Sequence, residues 1–187
     1  MPPTLNDVFE ALLRKLRRLA DGPASPRLRA AAGGAATRVV ADVMSATPRT
    51  CRPDDTLHRA AQIMWEADCG CVPVVDDGGH VVAMITDRDV CMAAYTQGLA
   101  LWQLPVGRSA SRNAVTIAAD EPLDSALRLM QRHRVRRLPV LDADGRVIGV
   151  LSLGDVARDA TLARDGRVAA TLAAIVEPDQ RPAAAAE

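Results

Sequence analysis

Aromatic side chains are nearly missing: one Phe, one Tyr and two Trp make up 2% of 187 residues. A core built from this chain has to be aliphatic, and apolar residues do reach 49%. Excess charge is missing too, since 23 Lys and Arg balance 23 Asp and Glu. That balance excludes a chain made mainly to coat nucleic acid, which needs a positive surplus. No apolar run approaches the length of a membrane span. The start of the chain is amphipathic and Arg-rich, unlike a secretory leader. The expectation is therefore a cytoplasmic protein with no membrane and no nucleic-acid partner. Its four cysteines, Cys51, Cys69, Cys71 and Cys91, then read as thiols. Catalytic signatures are lacking as well. There is no Gly-x-Ser-x-Gly elbow, no P-loop and no His-Glu-x-x-His, so the chain is not expected to be an enzyme.

What is present begins with helical spacing at Leu5, Val8, Phe9, Leu12, Leu13, Leu16 and Leu19. Thr4 is placed to cap this segment, with Asp7 three residues on. It reads as a packing or dimer helix; its basic side (Arg14, Lys15, Arg17, Arg18) leaves an anionic membrane or nucleic acid as minor alternatives. Asp21 to Thr37 turns to Gly, Pro, Ala and Arg without periodicity, the pattern of a flexible linker.

The chain then repeats itself. Leu57, Ala60, Met64, Pro73, Val74, Asp76, Gly79, Val81, Asp89 and Val90 each recur 66 residues later, as Leu123, Ala126, Met130, Pro139, Val140, Asp142, Gly145, Val147, Asp155 and Val156. One fixed offset through helix, turn and strand patterns marks a duplicated unit. Each copy opens with a short extended pair, Thr50-Cys51 or Thr116-Ile117. Asp54 and Asp120 are candidate caps for the amphipathic helices that follow. A strand comes next (Val72 to Val75; Leu138 to Leu141), then an Asp/Gly turn, then a second strand (Val81 to Ile85; Val147 to Leu151). A second helix starts near Asp87 and stops at Gly98; its counterpart starts near Gly154. Further helical character runs from Val168 to Val176, ahead of Pro178 and an Ala-rich end. One unit has too little core to stand alone, so the two are expected to pack together.

These stretches resemble a tandem pair of CBS motifs, also called a Bateman module, of a short free-standing bacterial type. The resemblance rests on Cys71-Val72-Pro73-Val74-Val75-Asp76 with Met84-Ile85-Thr86-Asp87-Arg88-Asp89. It rests equally on Arg137-Leu138-Pro139-Val140-Leu141-Asp142 with Gly149-Val150-Leu151-Ser152-Leu153-Gly154-Asp155. It implies an α/β fold: two β-α-β-β-α motifs packed with pseudo-two-fold symmetry, plus the N-terminal helix. The expected division is 1–38 for the helix and linker, 39–104 and 105–165 for the motifs, and 166–187 for a C-terminal helix with a disordered tail.

The resemblance also implies a regulatory, ligand-sensing protein that needs no cofactor and no metal. An adenine nucleotide such as AMP, ADP or ATP would bind in the clefts between the motifs. Asp89 and Asp155 would accept from ribose hydroxyls. Thr86 and Ser152, at helix starts rich in unpaired amides, would approach phosphate. Val72 and Leu138, with Pro73 and Pro139, would flank the base, and Thr50 and Thr116 complete the set. Arg136 and Arg137 would hold phosphate, which suits their forked donors. The first motif has Gly70 and Cys71 there, so the second cleft is favoured, with Arg88 a partial substitute in the first. Family members often form disc-like homodimers, and a further protein partner would receive the output. Three other readings stand beside this one. Asp89 and Asp155 equally suit plain helix capping. Cys69 and Cys71 would suit a thiol or metal sensor, and the whole pair a purely structural dimerisation unit.

Overall fold

The computed structural model describes residues 38–111, 113–159 and 166–177. The N-terminal helix and linker expected over 1–37, and the tail expected after Glu177, lie outside the described residues.

The first copy runs through β1 (Ser45–Ala46), α1 (Leu57–Ala67), β2 (Cys71–Val75), β3 (Val81–Thr86) and α2 (Asp87–Gln97). A short helix α3 (Val106–Ser109) leads into the second copy: β4 (Ile117–Ala118), α4 (Leu123–His133), β5 (Arg137–Leu141), β6 (Val147–Ser152) and α5 (Leu153–Arg158). Helix α6 (Arg167–Val176) follows and packs on α4 and α5. Helix α2 ends at Gly98, whose positive φ of 62° is a conformation glycine adopts without steric cost. The two hairpin turns are built alike. Asp76 Oδ1 accepts from the amides of Gly78 and His80, and Asp142 Oδ1 from those of Asp144 and Arg146.

The 66-residue offset in the sequence is also the symmetry operator of the fold. Ser45 pairs with Val150 on β6, and Ser111 bridges Met84 on β3. Thr56 bridges Pro105, and Val39 bridges Pro122. The amide of Val40 donates to Glu121 at 2.9 Å, and that of Val106 to Asp55 at 2.8 Å. In every pair, adding 66 to one residue number and subtracting it from the other gives the second contact. His80 bridges its own counterpart, Arg146, and so lies on the pseudo-two-fold axis.

These contacts show that the copies exchange their lead-ins. The opening segment of the first motif completes the second, and the opening segment of the second completes the first. The sheets record it: β1-β6-β5-β4 is one sheet, and β2-β3 the other. The cores record it too. Leu104, Val106 and Ala110 belong to the cluster around Leu57, Ile63, Val72 and Ile85. Val40 belongs to the cluster around Met130, Leu138 and Leu151. Each fully buried aliphatic side chain contributes about 1.5–3 kcal/mol, so neither core is complete without chain from the other side.

The exchange also corrects the expected helix starts. Asp54 and Asp120 do not cap. Helix α1 begins after Thr56, whose hydroxyl accepts from the amide of Arg59, and α4 begins after Pro122, which has no capping side chain. The first amide of each helix is instead taken by the crossing segment: Leu57 donates to Leu104, and Leu123 to Arg38. Once a neighbouring backbone satisfies that amide, the carboxylates three residues upstream have no orphan donor to serve.

Candidate functional site

Each motif sets a hydroxyl and a carboxylate at the point where its second hairpin strand becomes a helix. The amide of Thr86 donates to Asp89 Oδ2 at 2.9 Å and its hydroxyl at 2.7 Å, while the amide of Asp89 returns to Thr86 Oγ1 at 3.3 Å. The second motif repeats this between Ser152 and Asp155, at 2.8, 2.6 and 3.0 Å. These are reciprocal capping boxes, so the capping role is filled in both copies. Capping uses only Oδ2 in each carboxylate, and the copies diverge at Oδ1. Arg158 hydrogen-bonds Asp155 Oδ1, and Asp155 is only 9% exposed. Among the described residues, Asp89 Oδ1 has no such partner, because the residue one turn on is Met92. Arg158 was missed in the sequence, although its position three residues after Asp155 on a helix is the usual signal for such a pair.

The arginine pair separates. Arg136 is exposed, and its carbonyl accepts from the amide of Leu153 at 2.9 Å. Arg137 is half-buried and crosses to the first motif. A Cβ placed on Gly70 would lie 3.0 Å from an Arg137 guanidinium nitrogen and 3.0 Å from Asp87 Oδ2. Gly70, one of the two residues that made the first cleft look poor in cations, leaves the space this guanidinium takes. The thiol of Cys71 lies in the same spot. Burial pushes its pKa up to about 11; Arg137 pulls it down, and Cys69, Asp87 and Asp155 push it up. Charged groups of both motifs thus meet close to the pseudo-two-fold axis.

The remaining expected residues fall in several places. Val72 and Leu138 are fully buried within the two cores, and Pro73 and Pro139 are buried in mid-strand beside them. Arg88 is exposed on the first turn of α2, its amide on Asp87 Oδ1 at 2.8 Å. Thr50 is half-buried just ahead of Cys51, whose backbone bridges Val74. Thr116 lines a groove between β4 and α4 together with Glu121, Ser125, Arg128, Leu129 and Arg132. Among the described residues, no three His, Cys, Asp or Glu side chains are grouped to hold a metal ion, and no helix is long and apolar enough to cross a membrane.

A family model described as CBS domain matches this chain twice, over residues 40–95 and 106–160. Hypoxic response protein 1 of Mycobacterium tuberculosis is 32% identical over 117 residues, which are 63% of this chain and 81% of that protein. The crystal structure of Hypoxic Response Protein I, with two coordinated zinc ions, matches at a TM-score of 0.60 over 65% of this chain and 98% of that one. The CBS domain pair of protein MJ0100, in complex with 5-methylthioadenosine and S-adenosyl-L-methionine, matches at 0.60, with 27% identity over 66% of this chain and 95% of that one. CBSX2 in complex with AMP matches at 0.58, with 27% identity over 67% of this chain and 98% of that one.

Proposed function

As the chain belongs to the CBS-domain family, we propose that it is a non-catalytic regulatory module that binds an adenine nucleoside or nucleotide between its two motifs. The observation that carries this reading is the paired Thr86/Asp89 and Ser152/Asp155 arrangement. A carboxylate fixed at a helix start by its own cap is preorganised to accept from a ribose diol, and it keeps one oxygen for the purpose. The similar pairs that hold 5-methylthioadenosine, S-adenosyl-L-methionine or AMP support the ligand class. The preference expected from Arg136 and Arg137 is reversed in this proposal. Asp89 has an uncommitted oxygen and Arg137 reaches toward its motif, whereas Asp155 must first release Arg158. The first cleft is the stronger site.

The proposal keeps the motif boundaries at 39–104 and 105–165, and places the protein in the cytoplasm as a homodimer. Exposed Trp65, Tyr95 and Trp102, three of the four aromatic residues, support a surface that meets protein. Thermal unfolding against AMP, ATP, S-adenosyl-L-methionine and zinc tests the reading. A ligand at a hundred times its Kd adds about 2.7 kcal/mol. The adenine ligand should stabilise the wild type and the Asp155→Ala variant and fail with Asp89→Ala. Stabilisation by zinc alone would transfer the function to the Cys69/Cys71 region, for which the zinc-bound relative is the supporting observation.

A further inference from the structure

The groove between β4 and α4 has a volume of about 390 Å³ and shares only Thr116 with the residues expected at the nucleotide clefts. The first motif shows what chemistry fits there, because its equivalent positions are already occupied. Sixty-six residues earlier, the counterparts of Ser125, Arg128 and Arg132 are Arg59, Gln62 and Glu66. The Glu66 carboxylate accepts from Arg49 on one oxygen and from Gln62 on the other, the latter at 2.8 Å. Arg59 in turn donates to Gln62 at 3.2 Å. A carboxylate thus sits on this face of the first motif, held by donors from both sides.

In the second motif the carboxylate has become Arg132 and the amide Arg128, while Val115 stands where Arg49 would be. Arg128 reaches only the Ser125 hydroxyl, at 3.1 Å. Among the described residues neither arginine has a carboxylate partner. Two guanidinium groups one helical turn apart repel each other, and among the described residues no ion pair offsets that repulsion. The net charge of the whole chain is zero, which makes the surplus local. The Thr116 and Ser125 hydroxyls add donors, Leu129 offers an apolar floor, and Glu121 is the one carboxylate of the lining, against two arginines.

We infer that this groove docks an acidic peptide segment of a partner protein, with one Asp or Glu side chain forked between Arg128 and Arg132 and a neighbouring apolar residue on Leu129. Arginine holds carboxylate in this way through parallel hydrogen bonds. The docked carboxylate would supply from outside what Glu66 supplies from within the first motif.

Fluorescence anisotropy with a labelled peptide of alternating Glu and Leu, and with its Gln/Leu counterpart, tests the inference on the full chain. The acidic peptide should bind, weaken as salt rises, and lose about tenfold or more in affinity in the Arg128→Gln/Arg132→Glu variant. That variant restores the first motif's residues, and an unchanged melting temperature shows that it is folded. Arg132→Lys should retain part of the binding and serves as a second reading should the double variant unfold. Equal binding of the two peptides, no binding of the acidic one, or unchanged binding in the variants overturns the inference. Displacement of the peptide by AMP or by inorganic phosphate also overturns it, since the groove would then be a phosphate site. The nucleotide proposal stands or falls separately, on Asp89.

Discussion

Where the first motif has Gly70 and Cys71, the second has Arg136 and Arg137; where the first has Met92, the second has Arg158; where the first has Glu66, the second has Arg132. Beneath these exchanges the backbone hydrogen bonds recur pair by pair, down to the crossing lead-ins. The frame is held by main-chain groups and aliphatic cores that tolerate little change. The polar side chains on it have diverged, so one scaffold presents two unlike faces. Chemistry inferred for one motif from its partner's sequence is therefore unreliable, while geometry inferred that way is sound. Arg137 shows why: it is written in the second motif and its guanidinium sits against the first.

The sharpest test of the shared frame lies where the lead-ins cross. On β6, a Cβ at Gly149 would collide with the Met44 sulfur and lie 3.1 Å from the Ser45 carbonyl oxygen. The symmetric site in the first motif carries Ala83 against Ala110, both buried. A large residue facing glycine has replaced two alanines of similar summed volume. Gly149→Ala is expected to destabilise by about 1–3 kcal/mol through overpacking. Adding Met44→Ala, which rebuilds the alanine pair of the first motif, should recover most of it. Urea unfolding of the single and double variants measures both. A double variant no better than the single would break the equivalence of the two crossings.

Much of this frame was legible in the sequence, because a repeat at fixed offset constrains every element at once. The two copies, the hairpins, the Gly98 stop and the last helix followed from pattern alone. The exchange of lead-ins was not legible: Val39 to Ala46 and Pro105 to Ser111 carry no mark of which copy they complete. The helix starts were misplaced for the same reason, since the crossing backbone and not Asp54 or Asp120 satisfies the first amides. At the candidate site, the Thr86/Asp89 and Ser152/Asp155 pairs were visible as spacing. The reach of a long side chain such as Arg137 is a matter of tertiary space, here the space left by Gly70, and no one-dimensional pattern encodes it.

A second test concerns the thiols, all four of which lie in the first motif. Burial pushes the Cys51 thiol up to about 12 and that of Cys71 to about 11, against an ordinary value of 9.0. Their second-motif counterparts, Ile117 and Arg137, are not thiols. A folded pKa above the unfolded one means stability that is whole below pH 9 and is lost as pH rises through about 11 to 12. In the native protein exposed Cys69 and Cys91 should react first with a thiol reagent, and Cys51 and Cys71 only on unfolding. Cys51→Val should flatten the alkaline limb of the stability curve. An unchanged limb would remove Cys51 from any account of the difference.

The smallest effect separates the motifs at the acid end. Hydrogen bonds from Arg49 and then Gln62 hold the Glu66 carboxyl below its ordinary value. Its counterpart is Arg132, which carries no carboxylate. A depressed carboxylate contributes stability that is present above the ordinary pKa near 4.5 and is lost as pH falls through the lowered folded value. Glu66 is exposed, so solvent and salt screen the interaction and the expected change is slight. Glu66→Gln should reduce the acid-side slope of unfolding free energy at low ionic strength and do nothing to it at high salt. Arg132→Gln should leave that slope untouched in both. If the two variants behave alike, the carboxylate of the first motif is not held by its neighbours in solution. The template from which the second motif's open groove was read would then lose its footing, whatever the peptide experiment shows.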